Sequence, residues 1–298
     1  MLTDRDALLA GILANPDADL PRLVFADWLE ETGHPANCAR AEYIRAAIEE
    51  NRSPAVDAHR PARVRRVLEL ATQFRDEFDV ALSAEHRQAI GARRSRGFVE
   101  SVAVPWDLLP EVGGALDCVP IKELIAERAY YRPTLPPRPE PSFEHWGRVR
   151  EARCIATLEH IQIRTTERLP LASLDPLAAP SAVQEWWGQS FPLLGMLLSA
   201  PRLTRLKRLT LNSGGLSDFD VVELVSMLRR SACWETLQEL DLSHNRLTHY
   251  SAQTLASADW PVGFRHLNVN HTQIDNAGRE ILYRRFGFAE LRPLPALA

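Results

Sequence analysis

The chain has 298 residues and a mass of 33.6 kDa, enough for two compact domains or one elongated array of repeats. Its 45% apolar and 25% charged composition excludes collagen-like, low-complexity and wholly disordered chains. A net charge of -4 excludes a global basic field that would advertise nucleic acid or an anionic membrane.

Residues 1–92 read as helix after helix. Thr3 and Asp6 make a capping signal, and Leu8, Leu9, Ile12 and Leu13 form one stripe until Asn15-Pro16 stops it. A second helix is predicted from about Leu20 to Glu31, with Leu23, Val24, Trp28 and Leu29 inward and Gly33 beyond its end. A third, from about Ala36 to Glu50, turns Ala41, Ile44, Ala47 and Ile48 inward. Ser53-Pro54 breaks the pattern. A longer amphipathic helix is then expected around Val64, Val67, Leu68, Ala71, Phe74 and Phe78, and a short one from Glu85 to Ala92. The basic run Arg93-Arg94-Ser95-Arg96 follows.

From Gly97 the periodicity changes. Three segments share one template, with apolar residues at relative positions 1, 4, 6 and 11: LKRLTLNSGGL from Leu206, LQELDLSHNRL from Leu237 and FRHLNVNHTQI from Phe264. This spacing predicts leucine-rich repeats, each one short strand plus one helix. Asn245 falls where an asparagine would bond the turn, replaced by Gly214 and Thr272 in the other copies. Ser217-Asp218, Thr248 and Asp275 signal helix starts. Weaker copies run over Val99–Val104, Ile121–Leu124 and Leu158–Ile163.

Between them, near 132–141, lie five prolines in nine residues, an expected surface insertion. A second irregular stretch, about 170–201, carries Trp186-Trp187. The array is expected over 97–287, capped by a helix over 277–286 and followed by a tail over 288–298. The predicted class is α/β: a helical N-terminal module, then a short, irregular solenoid of five or six parallel strands on the concave face with helices outside.

The segment Arg22–Glu50, RLVFADWLEETGHPANCARAEYIRAAIEE, resembles the repeat-companion domain of planctomycete bacteria. The resemblance rests on Arg22–Glu31, Gly33, Pro35 and Ala41–Arg45, with Asn37-Cys38 as a small departure. RGFVESVAV, residues 96–104, is similar to the segment that opens the repeat array in such proteins, and Asp275–Gly287 to the last helical cap of ribonuclease-inhibitor-like repeats. What the resemblance implies is architecture; it carries no activity.

In a stacked array, positions 3, 5 and 7 face outward from the concave sheet. The outward columns are then Arg208, Glu239, His266; Thr210, Asp241, Asn268; and Asn212, Ser243, Asn270, with His244 at the margin. This polar, mixed-sign surface is the expected partner-binding site, and the partner is another protein. The alternative is an accessory subunit of a nucleic-acid-processing complex. Nine arginines against five acids between Arg60 and Arg96 carry that reading, with Arg93, Arg94 and Arg96 as phosphate contacts.

His244, His266 and His271 are read as solvated rather than as a zinc set, and the expectation is no metal and no cofactor. No phosphate loop, nucleophile elbow or Cys/His signature is present, so no enzyme activity is expected. Cysteines 38, 118, 154 and 233 lack paired spacing and are expected to be reduced thiols, mostly buried. With no secretory pattern at the N-terminus and no membrane span, the expected location is cytoplasmic.

Overall fold

The computed structural model describes residues 3–54, 57, 59–73, 90–117, 119–128, 149–165 and 194–287. Four helices come first: α1 (Asp4–Ala14), α2 (Leu20–Glu31), α3 (Pro35–Arg52) and α4 (Arg60–Gln73). Thr3 closes the predicted capping box with Asp6, and Gly33 leaves α2 with φ +65°. Leu9, Ile12, Phe25, Ala26, Leu29, Ala41, Ile44 and Ile48 make the core of this module.

One inward assignment on α2 is corrected: Val24 is exposed, while Arg22 takes a fully buried place. Trp28 is half-buried against the core of the module and stacked on Phe25. Arg22 is held inside by acceptors that hydropathy does not register.

A seven-stranded sheet follows, with its strands in chain order. They are β1 (Gly91–Ser95), β2 (Phe98–Pro105), β3 (Glu123–Arg128), β4 (His160–Thr165), β5 (Arg208–Thr210), β6 (Glu239–Asp241) and β7 (His266–Asn268). Strands β2 to β7 are parallel and only β1 runs antiparallel. Residues 91 and 92, expected at the end of a helix, thus begin a hairpin, and the basic run forms strand β1 instead of a connector.

The hairpin turn is Arg96-Gly97, with φ +49° and +81°. Positive φ at both positions is the type I′ geometry, whose twist suits the flanking strands. Gly97 is required twice over, because a Cβ there would sit 2.7 Å from the Ile44 backbone of α3. Phe98 consequently belongs to the helical core, whereas Val99, next in the strand, belongs to the sheet core. The hairpin is the splice between the two.

The parallel strands are joined by α5 (Leu109–Leu116), α6 (Asp218–Arg230) and α7 (His249–Ser257), and α8 (Asn276–Phe286) follows β7. Ser217, Thr248 and Asp275 are the N-caps of α6, α7 and α8. Val102, Leu124, Ile161, Leu209, Leu240 and Leu267 stand side by side in register and share one core with Val221, Leu224, Leu255 and Leu282 of the helices. Among the described residues the helices therefore cover one face of the sheet and leave the other open. The proline-rich segment, Trp186-Trp187, Phe74, Phe78 and the 288–298 tail lie outside the described residues.

Among the described residues no helix is long and apolar enough to cross a membrane. Cys154 and Cys233 are buried thiols and Cys38 is half-buried.

Candidate functional site

Because the strands are in register, the open face is built of two rows. The first runs Ser101, Glu123, His160, Arg208, Glu239, His266; the second Ala103, Ile125, Gln162, Thr210, Asp241, Asn268. Two of the three expected outward columns are the β5–β7 portions of these rows.

In the first row Arg208 is exposed and its Nε lies 2.5 Å from Glu239 Oε2. The Arg208 hydrogen bond holds the Glu239 carboxyl below its usual range, and Glu239 in return raises Arg208. Arg265 approaches the other Glu239 oxygen at 3.8 Å. His266 is half-buried beside them.

In the second row Thr210 is only 8% exposed. Asp241 Oδ1 accepts from the Ser243 N–H at 2.9 Å, and Asn268 Oδ1 from the Asn270 N–H at 3.0 Å. These two side chains hold the turns that end their own strands, a structural duty the repeat pattern does not announce.

The third column is corrected. Asn212 is half-buried, and Ser243 and Asn270 are buried at 5% and 8% exposure. Ser213, His244 and His271, one residue further on, have left-handed φ of 56–57°. The chain therefore turns here rather than continuing flat, and the preceding residue is drawn into the stacked turns. His244 and His271 are exposed, and their rings stack at 4.3 Å. Stacking brings ring faces together rather than lone pairs. Among the described residues no group of three or more His, Cys, Asp or Glu could hold a metal ion.

Arginines 93, 94 and 96 separate from one another. Arg96 is buried and bonded to Glu100, Asp19 and the carbonyls of Pro16 and Asp17. It faces the protein interior rather than a phosphate backbone. Arg93 is exposed but ion-paired with Glu123, and Arg94 is half-buried.

Sequence reasoning missed the left half of the face. Ser101 and Arg93 both contact Glu123; Glu123 Oε1 lies 2.9 Å from His160 Nδ1, and His160 Nε2 lies 3.0 Å from Thr210 Oγ1. Burial would raise the Glu123 carboxyl, but the Ser101 hydroxyl and Arg93 overcome it and hold it below its usual range. Burial pulls His160 below the ordinary histidine value, aided by Arg208 and opposed by Glu123. The signal was there: VESVAV, IKEL and LEHIQI fit template positions 1 to 4, so Ser101, Glu123 and His160 occupy position 3 just as Arg208 does.

A comparison of the chain with protein-family models and with curated proteins finds no match.

Proposed function

We propose that the chain is a protein-interaction module: a leucine-rich-repeat solenoid, opened by a repeat-companion module, that presents its uncovered sheet face to another protein. One observation carries this reading. Six parallel strands display on one side a first row that is polar throughout and a second that is polar from Gln162 to Asn268, while helices bury the other side, and Glu123 and Glu239 of the first row are matched by Arg93 and Arg208. A pre-paired, rigid surface loses little entropy on docking and discriminates by charge register.

Support for the repeat reading comes from the common register of Leu209, Leu240 and Leu267 and from the bonding of Asn245. Phosphate contact by Arg93, Arg94 and Arg96 has less behind it, since Arg96 is spent internally and Arg93 is paired.

The test is comparative capture from native-host extract, followed by reconstitution of the recovered pair from purified components. Arg208→Glu with Arg265→Glu reverses two exposed charges around Glu239, and neither arginine is buried. Affinity for the reconstituted partner is expected to fall at least about tenfold at low salt, with melting temperature near wild type. Unchanged affinity would remove the face as the docking site.

A further inference from the structure

The left half of the open face holds an arrangement that interaction alone does not require. Glu123, His160 and Thr210 come from β3, β4 and β5, separated by 37 and 50 positions in sequence, and form one continuous hydrogen-bonded chain. The direction of its protons follows from the charges. Glu123 is ionised at neutral pH, so its oxygen can only accept; the imidazole is neutral, so it carries a single N–H. That hydrogen must sit on Nδ1, facing the carboxylate. Nε2 then bears the lone pair and accepts the hydroxyl proton of Thr210.

A hydroxyl donating to a neutral imidazole, itself oriented by a carboxylate, is the arrangement that activates an oxygen nucleophile. We propose that Thr210 is an acyl-accepting nucleophile for ester substrates, with His160 as its general base and Glu123 as the positioning residue that fixes the imidazole tautomer. This stands apart from the interaction reading and does not depend on it.

In the step, a bond forms between Thr210 Oγ1 and the acyl carbon. The hydroxyl proton passes to His160 Nε2, and the bond from the acyl carbon to the leaving oxygen breaks. The imidazolium returns its proton to that oxygen, leaving a threonine ester, an alcohol or phenol and a neutral histidine. Glu123 stabilises the transient imidazolium. Gln162 stands opposite Thr210 in register. Its side-chain carbonyl accepts from Arg164 Nη2 at 3.1 Å, and its amide N–H groups are the donors the proposal assigns to the developing oxyanion.

The experiment exposes the full-length protein to p-nitrophenyl acetate and follows p-nitrophenol release, intact mass and the modified peptide. The expected result is a burst of phenol with one acetyl group on Thr210. Thr210→Val, similar in shape but without the hydroxyl, should abolish that label; Thr210→Ser should keep it.

His160→Gln should slow labelling about 100-fold or more, the usual range for losing a general base. Glu123→Gln should slow it too and move the midpoint of the pH-rate profile downward, because the imidazolium loses its counter-charge. A group with a purely structural role would not move that midpoint. Thermal melts separate misfolded variants from inactive ones. Acetylation confined to Lys122, Lys207 or the N-terminus, or labelling of Thr210 that is indifferent to His160→Gln in a folded variant, would overturn the proposal.

Discussion

Glu100 illustrates how much one side chain can hold. Its Oε1 accepts from Arg22 Nη2 at 2.8 Å and from Arg96 Nη2 at 2.7 Å, and both arginines also donate to the Pro16 carbonyl. Arg22 is fully buried with its guanidinium 5.2 Å from the Phe98 ring centre, and burial pulls it down to about 10 against the pull of Glu100. It remains charged at neutral pH. Its Nε and Nη1 have no hydrogen-bond partner among the described residues, so Glu100, the Pro16 carbonyl and the Phe98 ring carry its compensation. Removing one partner of a buried pair leaves an uncompensated charge, whereas replacing the whole pair with apolar groups can be neutral. Glu100→Ala should therefore destabilise by about 3–5 kcal/mol in urea unfolding. Arg22→Met with Glu100→Met should lose clearly less than Glu100→Ala alone. An alanine variant within about 1 kcal/mol of wild type would show the cluster to be more hydrated than its burial implies.

At the scale of the element, repetition is carried by polar groups as much as by leucines. Asn245 is buried in the turn after β6, where its Nδ2 donates to the carbonyls of Leu211, Leu242 and Ser243 while Oδ1 accepts from the Leu216 N–H. One amide thus closes its own turn and the turn of the preceding unit. That explains how Gly214 can stand at the corresponding position before it: the bonds are supplied from the next unit. Asn245→Ala orphans several buried groups at about 1–3 kcal/mol each, so a loss of about 3 kcal/mol or more is expected in denaturant titration. A loss under about 1 kcal/mol would mean that water replaces the amide.

The same scale shows what could be read beforehand. The helices of the first module, the β5–β7 strands and the three later caps were legible because each rests on local periodicity or a capping residue. The β1 strand was not, since GARRS has no apolar alternation and owes its pairing to the turn at Gly97. Another missed signal is Cys-x-x-Thr-Leu, present as Cys154–Leu158 and Cys233–Leu237. In both, the threonine hydroxyl donates to the carbonyl that opens the preceding strand unit, Ile121 or Leu206, beside a buried cysteine. Small polar residues of this kind vanish from a hydrophobic template. The Glu123–His160–Thr210 chain was invisible for a different reason: register, not sequence proximity, assembles it.

Across the whole molecule, the helical module is fastened to the sheet along one edge. Glu100 in β2 and the residues just before β3, β4 and β5, Lys122, Glu159 and Lys207, alternate in sign, and the backbone ladder stacks them. Asp17, in the link between α1 and α2, bonds Lys122 and reaches Arg205 at 2.5 Å; Arg205 also contacts Glu159 at 3.2 Å. One carboxylate thereby ties the module to the entrances of β3 and β5. The Lys122 hydrogen bond, followed by Arg205, lowers Asp17 to about 2 against the opposing effect of burial. Its unfolded value is about 3.9, so the folded form binds its proton less tightly. The contribution to stability is therefore fully present above about pH 4 and is lost as pH falls toward 2. Asp17 is 59% exposed, which limits the link to about 1 kcal/mol or less and makes it sensitive to salt. Melting temperature measured from pH 5 to pH 2 should fall more steeply for wild type than for Asp17→Asn, because the variant has no proton to take up there. The two curves should converge in about 0.5 M salt, where the Debye length is shorter than the reach of a surface pair. Parallel acid limbs at low salt would mean that Asp17 is merely adjacent and that the fastening rests on the Arg22, Arg96 and Glu100 cluster and the Phe98 splice.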